Sequence, residues 1–316
     1  MKPARIVFPG FWFGQSDLAL AKKAAQRGVG GFCVYGGSAQ ETADFIAAMR
    51  EASPYDHILI CADISEDLSE VIKDAPKLPS NAKLGADSTT YNDGAYRKGL
   101  LNARLARSIG IDWLFGPVVD LGYQSPCFGE EAQQVARDCE DYAAGLANGG
   151  VLNCLKSFPG VSGILKPLSQ LEEAEFVPYK HLFRLADGVI LSDMVFSNLD
   201  AANRAMMSER VVRELLKKRL NYKGGILGSP LFRSHIKNEH AAVLQMIACG
   251  VDFIVAPLDT KSALGTVEKA CDQGKICDSV VHAVSHLELL ISKVTSAVVS
   301  QLSWKEAVEQ AQEFNK

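Results

Sequence analysis

Four polar side chains lie at or near the ends of apolar, strand-like runs in this sequence. Asp63 closes the run HILICAD, and Asp120 follows the run DWLFGPV by two residues. Lys156 lies within the run NCLKSF, and Asp193 closes the run GVILSD. The carboxyl ends of parallel strands meet at one edge of a sheet, where carboxylates accept hydrogen bonds from sugar hydroxyls and a lysine supplies the complementary donor. We therefore expect these four residues to bind a polyhydroxylated substrate.

Each of the four residues also has a purely structural explanation. An aspartate at the end of a strand commonly caps the next turn or helix. Lys156 lies within an otherwise apolar strand, where an unpaired ammonium group is costly. A buried ion pair with one of the aspartates explains this lysine without any ligand, so binding and structural roles both stay open.

The candidate residues belong to a regular alternation of apolar runs and amphipathic segments. Near-continuous apolar runs are typical of strands that are buried on both faces. An open doubly wound sheet usually carries a G-x-G-x-x-G turn after an early strand, whereas the first run here continues as FPGFWFGQS. The pattern therefore predicts an α/β protein with a (β/α)8 TIM-type barrel. The eight runs are residues 5–11, 30–36, 57–63, 112–118, 153–158, 188–193, 224–229 and 252–257.

The length and composition favour one globular unit. The chain has 316 residues, of which 47% are hydrophobic and 22% are charged, and no segment reads as a linker. We predict a single domain over residues 1–316, with the barrel at about residues 1–273 and extra helices at about residues 274–316.

Charge and cysteine usage exclude several classes of function. The net charge is −4 and the basic residues are dispersed, which argues against a nucleic-acid partner. No window approaches the apolar length that spans a membrane, and no signal peptide is evident, so a cytoplasmic location is expected. The eight cysteines form no C-x-x-C pair, so we expect no metal site and no cofactor. Nothing in the sequence indicates an oligomeric state.

Five segments together resemble the N-terminal barrel of family 3 glycoside hydrolases, in the β-N-acetylhexosaminidase branch. Each segment lies on the expected element, in the order of the family, between about residues 30 and 257. The segments are GIDWLFGPVVDLG (110–122), LKSFPGVSG (155–163), LSDMVFSNLD (191–200), SERVVRELLKKRLNYKGGILGSPL (208–231) and AVLQMIACGVDFIVAP (242–257).

The resemblance implies a reaction whose reactive groups are replaced in this chain. Members of the family are retaining glycosidases, in which an aspartate nucleophile forms a glycosyl-enzyme intermediate. Ser229 stands at the place of that aspartate, and Val161, followed by Ser162, stands at the place of the acid/base histidine. A serine needs an adjacent base to act as a nucleophile, and the nearest histidine along the chain is His235.

Three hypotheses follow from this pattern. In the first, the protein is a catalytically impaired family 3-like barrel that still binds a saccharide or amino sugar, because Asp63, Asp120 and Lys156 match the ligand-binding residues of the family. In the second, carboxylates at the mouth form a relocated acid/base pair, and the protein is an active glycosidase. In the third, the barrel is a structural or partner-binding module. The carboxylates considered for the second hypothesis are Asp63, Glu66, Asp193 and Asp259.

The aromatic segment Phe11-Trp12-Phe13 bears on the first and third hypotheses. Exposed aromatic side chains serve as anchors for protein partners. They serve equally as platforms for sugar rings, and they also pack inside cores. The sequence leaves these three roles open.

Overall fold

The structure is a computed structural model that describes residues 2–86, 93–122, 124–160 and 174–315. All eight apolar runs contain strands, and the first run contains two because Pro9 separates them. The strands are β1 (Val7–Phe8), β2 (Gly10–Trp12), β3 (Gly31–Tyr35), β4 (Leu59–Ala62), β5 (Trp113–Leu114), β6 (Leu152–Phe158), β7 (Gly188–Leu191), β8 (Gly225–Leu227) and β9 (Ile254–Val255).

Helices alternate with these strands, as the amphipathic segments predict. A π-helix at Arg210–Arg219 precedes β8, and a short 3-10 helix at Leu231–Arg233 follows it. The α-helices are α1 (Leu18–Gln26), α2 (Ala39–Ala52), α3 (Asn81–Ala86), α4 (Gly94–Ser108), α5 (Ala132–Asn148), α6 (Phe176–Leu182), α7 (Ser197–Asp200), α8 (Glu239–Cys249), α9 (Thr260–Asp272), α10 (Cys277–Thr295) and α11 (Trp304–Phe314). Within the described ranges, no helix is both long and apolar enough to cross a membrane.

The sheet topology is parallel and sequential. Strands β2 to β8 form one curled seven-stranded sheet in chain order, and β1 pairs with β9 in a second, two-stranded sheet. An isolated parallel bridge joins Leu227 of β8 to Phe253, the residue before β9. The α/β class is thereby confirmed, whereas the arrangement differs from one continuous eight-stranded sheet because Pro9 interrupts the first strand.

Apolar residues cover both faces of the sheet. Every residue of β3, β4 and β7 is buried, as strands between an inner core and an outer helical layer require. On the inner side, Trp113 meets the rings of Phe8 and Phe253 edge-on, with centroids 6.3 and 6.1 Å apart. This inner packing holds the strands at fixed positions, and their carboxyl ends present the candidate residues.

Helices α4 and α5 approach each other closely because two glycines lie at their contact. A β-carbon on Gly99 of α4 would lie 2.1 Å from the carbonyl oxygen of Tyr142, and one on Gly145 of α5 would lie 2.2 Å from that of Tyr96. Only glycine fits at such distances. The spacing of these two helices is therefore fixed by backbone contact.

Three buried aspartates join neighbouring strands at the amino ends of the strands. In each case the Oδ2 atom accepts a hydrogen bond from a backbone N–H near the start of the preceding strand, at 2.9 to 3.0 Å. Buried carboxylates with such partners are well satisfied. The pairs are Asp112 with Ile60, Asp187 with Asn153 and Asp252 with Ile226.

Candidate functional site

Lys156 and Asp63 meet at the carboxyl ends of their strands. Lys156 lies in β6 and Asp63 follows β4 directly, so the parallel sheet brings both side chains to one edge. The Nζ atom of Lys156 donates to Oδ1 of Asp63 at 2.8 Å, and the two side chains are only 10% and 4% exposed. Two of the four predicted site residues therefore form a buried ion pair.

Arg233 occupies the second oxygen of the same carboxylate. Its Nη1 atom donates to Oδ2 of Asp63 at 2.9 Å, while 55% of the arginine side chain stays exposed. Asp63 thus holds one buried and one solvated cation, which offsets the cost of burying its charge. The cluster also places donors from Lys156 and Arg233 side by side at the opening.

Asp120 lies beside this cluster. The backbone N–H of Val119 donates to the carbonyl oxygen of Lys156 at 3.0 Å, so the chain after β5 runs along β6. A β-carbon on Gly160 would lie 3.4 Å from Oδ1 of Asp120. The Asp120 carboxylate therefore faces Gly160 of the Phe-Pro-Gly turn, and its chain segment pairs with Lys156 of β6.

Asp193, by contrast, is held by a partner of its own. Arg204 donates to the backbone carbonyl of Asp193 at 2.9 Å and lies 3.5 Å from its Oδ2 atom. No contact in the described ranges joins Asp193 to Asp63 or Lys156. The structure thus brings Asp63, Lys156 and Asp120 together and places Asp193 in a separate ion pair.

Ser229 lies at the carboxyl end of β8, two residues after the strand ends, and is half-buried. Within the part of the chain that the structure describes, no carboxylate or histidine ring is hydrogen-bonded to its hydroxyl. His235 is exposed, with a backbone φ of 46°. Among the described residues, the hydroxyl therefore has no base within hydrogen-bond reach to activate it. Val161 and Ser162 lie outside the described residues.

An aromatic cluster borders the ion pair. Trp12 stacks on Tyr35 at 4.9 Å with an interplanar angle of 7°, and Phe232 packs edge-on against both rings. The guanidinium of Arg233 lies 5.0 Å from the centre of Phe232. Burial above all, with the nearby Asp63 carboxylate, raises the pKa of the Tyr35 phenol well above its usual value, so the phenol stays neutral.

The two neighbours of Trp12 serve a different purpose. Phe11 stacks on Phe45 with centroids 4.0 Å apart, and Phe13 meets both rings edge-on. Both belong to the packing between the sheet and the helices. Because successive residues of a strand point to opposite faces, Trp12 points away from Phe11 and packs on Tyr35 and Phe232.

Three partners of the site lay outside the sequence predictions, namely Arg233, Tyr35 and Phe232. The 3-10 helix at Leu231–Arg233 places Phe232 and Arg233 at the mouth, three and four residues after Ser229. None of the three is an acidic residue or a lysine at a strand end. The signal for two of them is the segment LFRS (231–234), shortly after the run that ends at residue 229, where side chains of any type can face the opening.

The fold and these residues together correspond to a known family. Residues 13–288 match the sequence model of the glycosyl hydrolase family 3 N-terminal domain. The chain belongs to this family. The resemblance inferred from the five segments is thereby confirmed.

Curated relatives and solved structures agree with that assignment. A β-hexosaminidase of Xylella fastidiosa is 26% identical over 256 residues, which cover 73% of this chain and 76% of that protein. A β-hexosaminidase of Stenotrophomonas maltophilia is 28% identical over 216 residues, covering 61% and 64%. The structure of a family 3 β-N-acetylglucosaminidase from Paenibacillus sp. FPU-7 superposes with a TM-score of 0.85 at 22% identity, covering 99% of this chain and 67% of that one.

Proposed function

We propose that this protein binds a saccharide, with an N-acetylated amino sugar as the first candidate, and does not carry out the double displacement of its family. The observation that carries the proposal is the ion pair of Lys156 and Asp63 beside the stacked rings of Trp12 and Tyr35. Charged hydrogen-bonding groups next to an aromatic surface suit a ligand with hydroxyl groups and apolar ring faces. The names of the relatives, β-hexosaminidases, favour an amino sugar.

The loss of turnover rests on the residue types at the two reactive positions. By the resemblance to the family, Ser229 stands at the place of the nucleophile and Val161 at the place of the acid/base. Replacing members of one catalytic unit costs on the order of 10⁴-fold or more in rate, and the losses are not additive. We therefore propose a catalytically impaired member of the family.

The remaining details of the architecture belong to this proposal. We infer that β1 and β2 act as one strand, so that the two sheets close into an eight-stranded barrel. Hydrogen bonds from Ala256 to the Phe8 carbonyl and from Cys33 to the Pro9 carbonyl, at 2.8 Å each, support this closure. The single domain over residues 1–316 and the cytoplasmic location stay predictions.

An active glycosidase with a relocated carboxylate pair is less well supported. Asp63 is held by Lys156 and Arg233, and Asp193 is held by Arg204. The other two carboxylates of that hypothesis are engaged as well, because Glu66 accepts from the buried Lys98 and Asp259 caps helix α9. A general acid needs a proton to give, and a carboxylate held by a cation or by helix N–H groups is disfavoured in that role.

A partner-binding barrel is also less well supported. Of the three aromatic side chains of the Phe11-Trp12-Phe13 segment, Phe11 is buried and Phe13 is half-buried against the core. Trp12 is half-buried and stacked on Tyr35. A single partly covered ring is a small anchor compared with the clusters that dominate protein interfaces.

Calorimetric titration with N-acetylglucosamine and its β-1,4-linked dimer tests the proposal. We expect saturable binding that is weakened at least tenfold in Asp63→Asn, because the substitution removes the charge that orients Lys156. In parallel, aryl N-acetyl-β-glucosaminides and aryl β-glucosides should show no enzyme-dependent release of the aryl group. Turnover at ordinary enzyme rates would refute the impaired mechanism, and absence of binding to every sugar tested would refute the ligand role.

A further inference from the structure

The three aspartates at the amino ends of the strands differ in what neutralises them. Asp112 is paired with Arg50 at 2.9 Å, and Asp187 is paired with Lys293. Asp252 occupies the equivalent place before β9, yet in the described ranges no lysine or arginine lies within ion-pair distance of it. Its carboxylate, 3% exposed, therefore lacks the permanent cation that the other two have.

Two histidines lie beside Asp252. The Nδ1 atom of His286 lies 3.1 Å from Oδ2 of Asp252. His282 lies one turn earlier on helix α10, and the two imidazole rings are 4.4 Å apart between centroids. Ligand atoms of the three residues all lie within 4.8 Å of one another, the one such group of histidine, cysteine and acidic side chains among the residues that the structure describes.

The spacing along helix α10 reinforces this grouping. Asp278, His282 and His286 recur every four residues and therefore share one helix face. A hollow of about 360 Å³ opens beside them, lined by Asp252, Asp278 and His282 among others. The hollow gives an ion or a water molecule access from solvent to His282 and to the Asp252 carboxylate.

We propose that Asp252, His282 and His286 bind a zinc ion. Imidazole nitrogens and a carboxylate oxygen are the ligands that zinc takes, at about 2.0–2.2 Å, and three protein ligands leave the fourth position to water. In a tetrahedral site the ligand atoms stand roughly 3.3 Å apart, so the observed separations close by side-chain rotation of His282, which is exposed. The hydrogen bond from the Ile226 N–H to Asp252 at 2.9 Å holds the carboxylate in place, as supporting contacts do at metal sites.

The surrounding charges restrict which cation fits. Arg213 and Lys217 line the same hollow and repel any ion that is attracted by charge alone. Mg²⁺ and Ca²⁺ require oxygen ligands and favour several carboxylates, which this site does not supply. Direct coordination by imidazole overcomes the repulsion, and the site is therefore selective for zinc and related transition metals.

Metal uptake by the full-length protein tests the site. After treatment with a chelator, the protein should bind one equivalent of Zn²⁺ and gain thermal stability. Co²⁺ should give a visible absorption spectrum without the near-ultraviolet band of thiolate ligation, which excludes the cysteines as ligands. Mg²⁺ at the same concentration should leave the melting temperature unchanged.

Two variants separate this site from nonspecific uptake. His282→Ala removes an exposed side chain, so the fold should persist, and zinc affinity should fall at least tenfold. His235→Ala, an exposed histidine on a loop away from the cluster, is the matched control and should bind zinc as the parent does. Equal zinc binding by His282→Ala and the parent, a thiolate band with Co²⁺, or no stoichiometric uptake would each overturn the proposal.

Discussion

The ammonium group of Lys156 and the carboxylate of Asp63 form a direct, buried contact of 2.8 Å across two strands that are not neighbours in the sheet. β5 lies between them, so the contact spans the inside of the curled sheet at its carboxyl edge. Lys156 is thereby held in a fixed position whether or not a ligand is present. In the function proposed above, the remaining donors of its ammonium group recognise the hydroxyl groups of the sugar.

The ion pair predicts a strong dependence of stability on the two residues together. Asp63→Ala should lower the free energy of unfolding by about 3–5 kcal/mol, because it leaves a buried ammonium group without its partner. Adding Lys156→Met should recover most of that loss, since the charge is then gone and the methionine fills the space. Denaturant unfolding of both single variants and the double variant measures the coupling. Additive losses would show that the pair does not act as a unit.

Arg233 should limit the affinity for neutral sugars. Because it occupies Oδ2 of Asp63, a sugar hydroxyl has to compete for that oxygen. Arg233→Gln should therefore tighten the binding of N-acetylglucosamine by about tenfold, equivalent to about 1.4 kcal/mol. Arg204→Gln, which releases Asp193 instead, is the control and should leave the affinity unchanged. Weaker binding in Arg233→Gln would instead identify the arginine as a sugar donor.

Trp12 should report ligand binding through its fluorescence. The chain has three tryptophans, of which Trp113 is fully buried in the inner core and Trp304 lies on helix α11. A sugar bound against the stacked rings should change the fluorescence emission of the parent and of Trp304→Phe. The emission of Trp12→Phe should not change on addition of the sugar. An unchanged response in Trp12→Phe would place the ligand elsewhere.

Restoring the nucleophile alone should restore part of the reaction. In Ser229→Asp, a 2,4-dinitrophenyl N-acetyl-β-glucosaminide should be hydrolysed measurably, because that leaving group departs without a proton. A 4-methoxyphenyl glycoside should be hydrolysed more slowly than the difference in leaving-group reactivity alone explains. General acid catalysis contributes on the order of 10²–10⁴-fold to such a substrate, and Val161 supplies no proton. Ser229→Asn is the isosteric control and should stay inactive. No turnover with either substrate would mean that residue 229 does not face the anomeric carbon of a bound sugar.

The contact between α4 and α5 predicts opposite effects of one substitution at two helical glycines. Gly99→Ala should destabilise the protein by about 1–3 kcal/mol, because the new methyl group would lie 2.1 Å from the Tyr142 carbonyl oxygen. Gly265→Ala in α9 has open space around it and should stabilise by about 0.5–1 kcal/mol through backbone entropy. Thermal unfolding of the two variants gives both signs, and a loss of stability in both would contradict the packing argument.

Much of the fold was predictable because its strands are buried on both faces. Runs such as HILICAD and GVILSD are nearly continuous in apolar residues, and each contains a strand. The break at Pro9 was harder to foresee, because a proline near the end of an apolar run interrupts pairing only if its missing N–H falls within the ladder. The pairing of β1 with β9 depends on residues about 247 apart in the chain, as in Val7 and Ile254, which local patterns do not encode.

The candidate site was predictable only in part. Strand ends located Asp63, Asp120 and Lys156 because parallel strands must bring them to one edge. Arg204, the partner of Asp193, lies in a loop that folds back. A bridge between Val195 and Arg204 fixes the position of this loop. Likewise Arg233 reaches Asp63 across 170 residues. Side chains in irregular segments give no periodic signal, so the sequence pattern does not predict their contacts with the site.

The two ends of the strands have different roles in this molecule. Asp112, Asp187 and Asp252 join neighbouring strands at the amino ends, and none of them borders the mouth where Ser229 lies. A change of side chain at the mouth therefore leaves these hydrogen bonds between the strands intact. The residues at the mouth can therefore change, and with them the activity, while the chain continues to fold.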